Sequence, residues 1–261
     1  MAQYNQVYQQ AIYYDIALSR DVSRDVDFMI AAYRHHTGSE LGSVLDVACG
    51  PGYHARAFAQ RGIRSAGLDL RPEMLTFAQD QALAEGVQVT WIAADMRHFQ
   101  LEASVDMAIC VFDGVDALLT NEDIIQHLRT VAANLTPNGL YLLEQTHPRY
   151  SSFQNYGQFR YAGERNGMGV EIVWATNNPT FDPVTGVANV EIEMRIRENG
   201  HVQLIRDSAK EWLLVPQEIR LLVERSAALQ PVGWYGDFDL HQPLDNSPAS
   251  SRMISVLQKV S

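Results

Sequence analysis

Cysteine is scarce in this 261-residue chain, with only Cys49 and Cys110 present. Two thiols cannot build a disulfide framework, which points to a reducing compartment. Cationic side chains are also in deficit: 20 Lys plus Arg face 31 Asp plus Glu, for a net charge of −11. A uniformly acidic chain repels phosphate backbones, so nucleic acid is not expected as a partner. No apolar run reaches the roughly 20 residues that a membrane helix needs. The start, Met1-Ala2-Gln3-Tyr4-Asn5-Gln6, has no basic patch ahead of an apolar stretch, so no signal peptide is expected. No internal repeat is visible. No histidine and cysteine spacing suggests a ligand set, so no metal is expected. These absences make a soluble cytoplasmic enzyme the default and leave a homo-oligomer open. What is present is ordinary globular material, 46% apolar and 20% charged, which excludes wholesale disorder.

The chain reads as four segments. Residues 1–40 form a helical cover. In it Ile12, Ile16, Val22, Val26, Met29, Ile30 and Tyr33 recur at spacings of three or four, and Tyr4, Tyr8, Tyr13 and Tyr14 read as packing groups with wet hydroxyls. Residues 41–150 alternate strand and helix text. Val44–Ala48, Ile63–Leu70, Val87–Ala93, Val105–Phe112 and Leu140–Glu144 are strands. Pro72 opens one helix and Gly86 closes it, and Asn121 caps another. That alternation predicts a parallel, doubly wound α/β sheet. Residues 151–215 carry consecutive strands without helices, with Asn199-Gly200 as a hairpin turn, so an antiparallel excursion is expected. Residues 216–261 return to a helix from Pro216 and two last strands.

The informative constellation is Asp46-Val47-Ala48-Cys49-Gly50-Pro51-Gly52, with Asp69 seventeen residues after Gly52. Glycines without Cβ let a ligand lie against the turn, the next helix offers its free N–H groups, and Asp69 at a strand end can accept bonds from a ribose diol. Two cofactor classes fit these residues. Gly50-Pro51-Gly52-Tyr53-His54-Ala55 satisfies the dinucleotide pattern G-x-G-x-x-A, which would make an NAD(P)-dependent oxidoreductase. Asp46, aimed at the same crevice, would repel a pyrophosphate and suits a cationic ligand such as S-adenosylmethionine.

Val44–Gly52 resembles the first motif of the class I S-adenosylmethionine-dependent methyltransferases, and Gly67-Leu68-Asp69-Leu70-Arg71-Pro72-Glu73-Met74 resembles the second. Ala94-Asp95-Met96 is similar to the third motif, Val105–Ile109 to the fourth strand, and Leu135–Leu140 to the approach to the fifth. The resemblance implies a seven-stranded Rossmann-like methyltransferase sheet whose last strand runs antiparallel, with the excursion as a lid over the substrate. The excursion and the ending Tyr235–Asp239 with Ser251-Arg252-Met253 are similar to small-molecule enzymes of the sugar N-methyltransferase and glycine or sarcosine N-methyltransferase kind. It further implies S-adenosylmethionine held by Asp46, Ala48, Gly50, Gly52, His54, Asp69, Leu70, Met74, Asp95, Met96, Val111 and Phe112. The expected acceptor is a small-molecule amine, with oxygen or carbon as alternatives. Asp113 after the fourth strand and His147 after the fifth are the candidate catalytic groups. Arg252, with Tyr13 or Tyr14, is a candidate for the cofactor carboxylate or a substrate anion. His35, His36 and His127 read as surface residues.

Overall fold

The computed structural model describes residues 6–152 and 155–260; Tyr4 lies outside them. Three helices open the chain: α1 (Gln6–Gln9), α2 (Ala11–Leu18) and α3 (Ser23–Thr37). The core then alternates β1 (Ser43–Val47), α4 (Tyr53–Gln60), β2 (Arg64–Asp69), α5 (Pro72–Glu85), β3 (Thr90–Ala93) and β4 (Val105–Cys110). A 3₁₀ turn (Gly114–Ala117), α6 (Asn121–Asn134) and β5 (Leu135–Thr146) follow. After two short strands, β6 (Ser151–Ser152) and β7 (Asn155–Tyr156), come β8 (Phe159–Arg165), β9 (Met168–Trp174), β10 (Val187–Glu198) and β11 (His201–Trp212). The chain closes with α7 (Pro216–Ser226), β12 (Leu229–Tyr235) and β13 (Arg252–Lys259).

The main sheet has seven strands in the order β12-β13-β5-β4-β1-β2-β3. Strands β1 to β5 pair in parallel, and β13 enters antiparallel between β5 and β12. This is a doubly wound, Rossmann-like sheet. β1 and β4 are nearly continuous apolar runs because helices cover both faces. One face packs on α6 and α7 through Leu128, Val131, Ile219 and Val223. The other packs on α3 and α4 through Val26, Met29 and Phe58.

The excursion is a separate antiparallel sheet, β11-β10-β9-β8. Its hairpins turn at Asn166-Gly167 and Asn199-Gly200, all four residues with positive φ, as type I′ turns demand. Its inner face, Ile172, Ile192, Met194 and Ile196, packs against Val7 and Ile16 of the opening helices. Helix α2 lies so close to β8 that a Cβ on Gly163 would collide with the Ile16 carbonyl. The helical cover and the lid sheet therefore act as one layer.

Several boundaries depart from expectation. β5 begins at Leu135, so Pro137-Asn138-Gly139 is an irregularity inside the strand rather than a turn before it. The cap of α6 is Thr120, whose hydroxyl accepts from Asp123 N at 3.1 Å; Asn121 is its first residue. β3 starts only at Thr90. His127 is fully buried between the Met96 carbonyl (2.9 Å) and the Tyr141 hydroxyl (2.5 Å), not on the surface. Burial lowers its pKa to about 4, so it packs as a neutral ring.

Candidate functional site

The parallel strands β1, β2 and β4 all end at one edge of the sheet, the edge where α/β folds bind ligands. A cavity of about 640 Å³ opens there. Its floor is the turn after β1 and its walls are the ends of β2 and β4. Its roof comes from Tyr8, Tyr14, Leu18 and Arg20 of the cover and Ser208 to Lys210 of the lid.

Eleven of the twelve residues expected to hold a cofactor border this cavity: Asp46, Ala48, Gly50, His54, Asp69, Leu70, Met74, Asp95, Met96, Val111 and Phe112. Gly52 does not. It has φ +76°, and a Cβ there would stand 2.5 Å from the Trp91 indole. Gly67 is cleared for the same ring. Gly52 is thus required by indole packing and backbone conformation, behind the turn rather than facing the ligand. Gly50, with φ +51°, has open space where its Cβ would be, so it is the glycine over which a ligand can lie.

The acids of the site differ in state. Asp46 is 1% exposed. Its Oδ2 accepts from Ala55 N at 3.2 Å, while its Oδ1 is buried without a partner. Burial pushes its pKa up to about 6, against the pull of His54 and the Ala55 amide. Asp69 ties the turn to the strand end, accepting from Gly50 N and Arg71 N, each at 2.8 Å. Burial raises its pKa against those bonds. Asp95 is engaged by Arg97, which also pairs with Asp123 at 2.6 Å; the Arg97 bonds hold the Asp95 carboxyl below its ordinary value. His54 borders the cavity, but its Nε2 bonds Asp25 at 3.2 Å.

The turn after β4 is strained. Phe112 and Asp113 both have positive φ, a conformation that costs free energy unless neighbours enforce it. Glu144 of β5 is the enforcer: 1% exposed, it accepts Phe112 N at 2.6 Å and the Arg252 guanidinium on its other oxygen. Glu144 was not among the expected residues. Its signal in the sequence is an acid closing the apolar run Leu140–Leu143.

Neither catalytic candidate is among the residues that line this cavity. Asp113 is turned toward β5, accepting from the Thr146 amide and, at 2.8 Å, from its hydroxyl, with Arg252 at 3.7 Å. His147 lies in a second, open groove of about 730 Å³, with Arg149, Arg220, Trp234 and Asp245. Its Nε2 donates to the Asp245 carbonyl at 2.9 Å and its Nδ1 accepts from Arg149 N at 3.1 Å. With both ring nitrogens engaged outside the cavity, His147 has no route to a reacting atom in it. Arg252 pairs with Glu144 and Asp113, while its Nη2 is buried without a hydrogen-bond partner. Of the two tyrosines, Tyr14 borders the cavity while Tyr13 packs in the lid core.

The fold is Rossmann-like, and the cavity lies at the strand edge where such folds bind ligands. Residues 44–139 match the family model described as "Methyltransferase domain". Among curated relatives, a dTDP-3-amino-3,4,6-trideoxy-alpha-D-glucopyranose N,N-dimethyltransferase of Streptomyces venezuelae is 34% identical over 109 residues, 40% of this chain and 43% of that protein. A dTDP-3-amino-3,6-dideoxy-alpha-D-glucopyranose N,N-dimethyltransferase of Streptomyces fradiae is 30% identical over 129 residues, 48% of this chain and 47% of that one. The matches thus span less than half of these relatives' length. Solved structures agree over nearly the whole fold. Streptomyces venezuelae DesVI superposes with a TM-score of 0.75 at 22% identity, covering 94% of this chain and 97% of that one. CalS10, described as an amino pentose methyltransferase from Micromonospora echinaspora bound to SAM, gives 0.71 at 21% identity and 98% of both chains. No helix among the described residues is long and apolar enough to cross a membrane.

Proposed function

We propose that this chain transfers a methyl group from S-adenosylmethionine to the amine of a small molecule, an amino sugar in particular. The observation that carries the proposal is Asp46, a buried acid that borders the cavity and whose Oδ1 has no partner. An unpaired buried acceptor is costly unless a donor meets it, and the cofactor brings an ammonium and a sulfonium but no phosphate. A dinucleotide would bring a pyrophosphate toward the same acid, where like charges repel.

The remaining residues suit the rest of that molecule. Asp69 keeps unused lone pairs for a ribose diol beyond its two backbone donors. Leu70, Met74, Ala94 and Met96 offer apolar contact to a flat base. When bound, S-adenosylmethionine supplies a methyl group on a positively charged sulfur, and that sulfur leaves neutral. The protein's task is then chiefly positioning: the turn at Ala48–Gly50 and the strained turn at Val111–Phe112 hold the donor side, and the cover and lid exclude water. The amine reading draws on the acids near β4 and on the amino-sugar relatives, and oxygen or carbon acceptors are the alternatives.

The test is incubation of the chain with S-adenosylmethionine and either dTDP-3-amino-3,6-dideoxyglucose, free 3-amino-3-deoxyglucose, or glucose. Mass spectrometry should find methyl gain on an amine and none on glucose. Methylation of the hydroxyl compound alone, or of nothing in a wide amine panel, would reject the proposal.

A further inference from the structure

Three carboxylates from three different elements converge beside the cavity. Asp113 follows β4, Asp116 lies in the 3₁₀ turn, and Glu211 comes from β11 of the lid. The three do not themselves line the cavity, but their chain neighbours do: Gly114, Ala117 and Leu118 border it from the turn, and Ser208 to Lys210 from the lid strand. Among the described residues Arg252 is the guanidinium acting on the group; it pairs with Glu144 and Asp113, and its Nη2 is buried without a hydrogen-bond partner. The hydroxyls of Tyr8, Tyr156 and Tyr161 and the Glu144 carboxylate also face the group. Glu211 accepts from Trp174 Nε1 at 2.7 Å and from the Tyr156 hydroxyl, and Asp116 accepts from Gln145 Nε2 at 2.6 Å.

A further observation points to a ligand. Gln145 is 3% exposed, its amide stands against Asp116, and its Oε1 is buried without any donor. With Nε2 turned to Asp116, the amide oxygen is the acceptor left over. Even with the Arg252 Nη2 donor beside Asp113, three carboxylates and a free amide oxygen give the group more acceptors than donors. The species that satisfies such a set is one bearing several N–H donors and positive charge. A phosphate would face repulsion here.

From this geometry we infer that Asp113, Asp116, Glu211 and the Gln145 carbonyl form the recognition site for the acceptor's ammonium group, at the seam between core and lid. The inference rests on the amine reading above and assigns its selectivity to particular residues. Burial and mutual repulsion raise the pKa of Asp116, and burial brings that of Glu211 up to about 7. An arriving cation reverses that effect, so binding displaces protons from the carboxyls; before transfer one carboxylate takes a proton back from the ammonium, because only the free amine has the lone pair that attacks the methyl carbon. Because Glu211 belongs to the lid and Asp116 to the core, a cation between them also draws the two layers together.

The experiment uses the whole chain saturated with S-adenosylhomocysteine. The probes are methyl 3-amino-3-deoxyglucoside and its hydroxyl counterpart, methyl glucoside, titrated calorimetrically in two buffers of different ionisation enthalpy. The expected result is tighter binding of the amine than of the hydroxyl compound by about tenfold or more, with protons released to the buffer. Glu211→Gln and Asp116→Asn should each weaken the amine by about tenfold while leaving S-adenosylhomocysteine affinity unchanged. Equal affinity for both probes, or amine binding with no proton release, would overturn the inference even if neither variant folds. Amine methylation by the wild type with unaltered amine affinity in both folded variants would overturn it alone. Failure of the wild type to methylate any amine would remove the functional reading and the inference together.

Discussion

Replacing Asp46 with Asn should make the ligand-free protein more stable above pH 6 and at the same time weaken its hold on S-adenosylhomocysteine. The buried carboxyl has its pKa pushed from 3.8 to about 6. A raised folded-state value means that the folded protein binds the proton more tightly than the unfolded chain does. Stability is therefore lost as pH rises from 3.8 through about 6, and the full loss persists above that. The shift corresponds to about 3 kcal/mol. Asparagine can still accept from Ala55 N, but it buries an amide with no partner at the position of the orphaned Oδ1, which returns about 1 kcal/mol. A net gain of about 1–2 kcal/mol is expected at pH 8 and none at pH 4. Loss of a charged hydrogen bond to the ligand, worth about 1.5–3 kcal/mol, should weaken S-adenosylhomocysteine by about tenfold to a hundredfold. Urea unfolding at the two pH values and calorimetry at pH 8 read both effects. Destabilisation at pH 8, an equal gain at pH 4, or undiminished ligand affinity would refute the reasoning.

Other substitutions probe separate parts of the account. Asp69→Asn sets an amide against the Gly50 or Arg71 N–H and should reduce S-adenosylhomocysteine affinity by about tenfold or more, measured calorimetrically. Gly52→Ala forces a Cβ against Trp91 at a positive φ and should cost about 2–4 kcal/mol in urea unfolding. Arg252→Met leaves Glu144 buried without its cation and should cost about 3–5 kcal/mol by the same measure. His147→Gln changes a side chain in the other groove; turnover and ligand affinity should match the wild type, and a large fall in turnover would restore His147 to the chemistry.

The order of strands and helices was legible because buried parallel strands and amphipathic helices leave strong local patterns. The antiparallel lid was legible from Asn-Gly turns between alternating runs. The cofactor edge was legible because Asp46, Gly50 and Asp69 sit at fixed offsets from strand ends. What escaped depends on contacts distant in sequence. Nothing local says that Gly52 makes room for Trp91, 39 residues on, or that Tyr141 and the Met96 carbonyl bury His127. Glu144 and Arg252 are 108 residues apart, so the ion pair that fixes the turn after β4 is invisible along the chain. His147 follows β5 as expected, yet the loop after β12 supplies the Asp245 carbonyl that draws its ring into another groove. Glu211 looked like one acid among many until the lid brought it beside Asp116 and Asp113.

The central claim is that the crevice at Asp46, Gly50 and Asp69 receives a cationic, phosphate-free cofactor. Calorimetric titration of the whole chain with S-adenosylhomocysteine and, separately, with NAD tests it most directly. The account predicts saturable one-to-one binding of S-adenosylhomocysteine and no measurable heat from NAD; saturable NAD binding with no response to S-adenosylhomocysteine would contradict it.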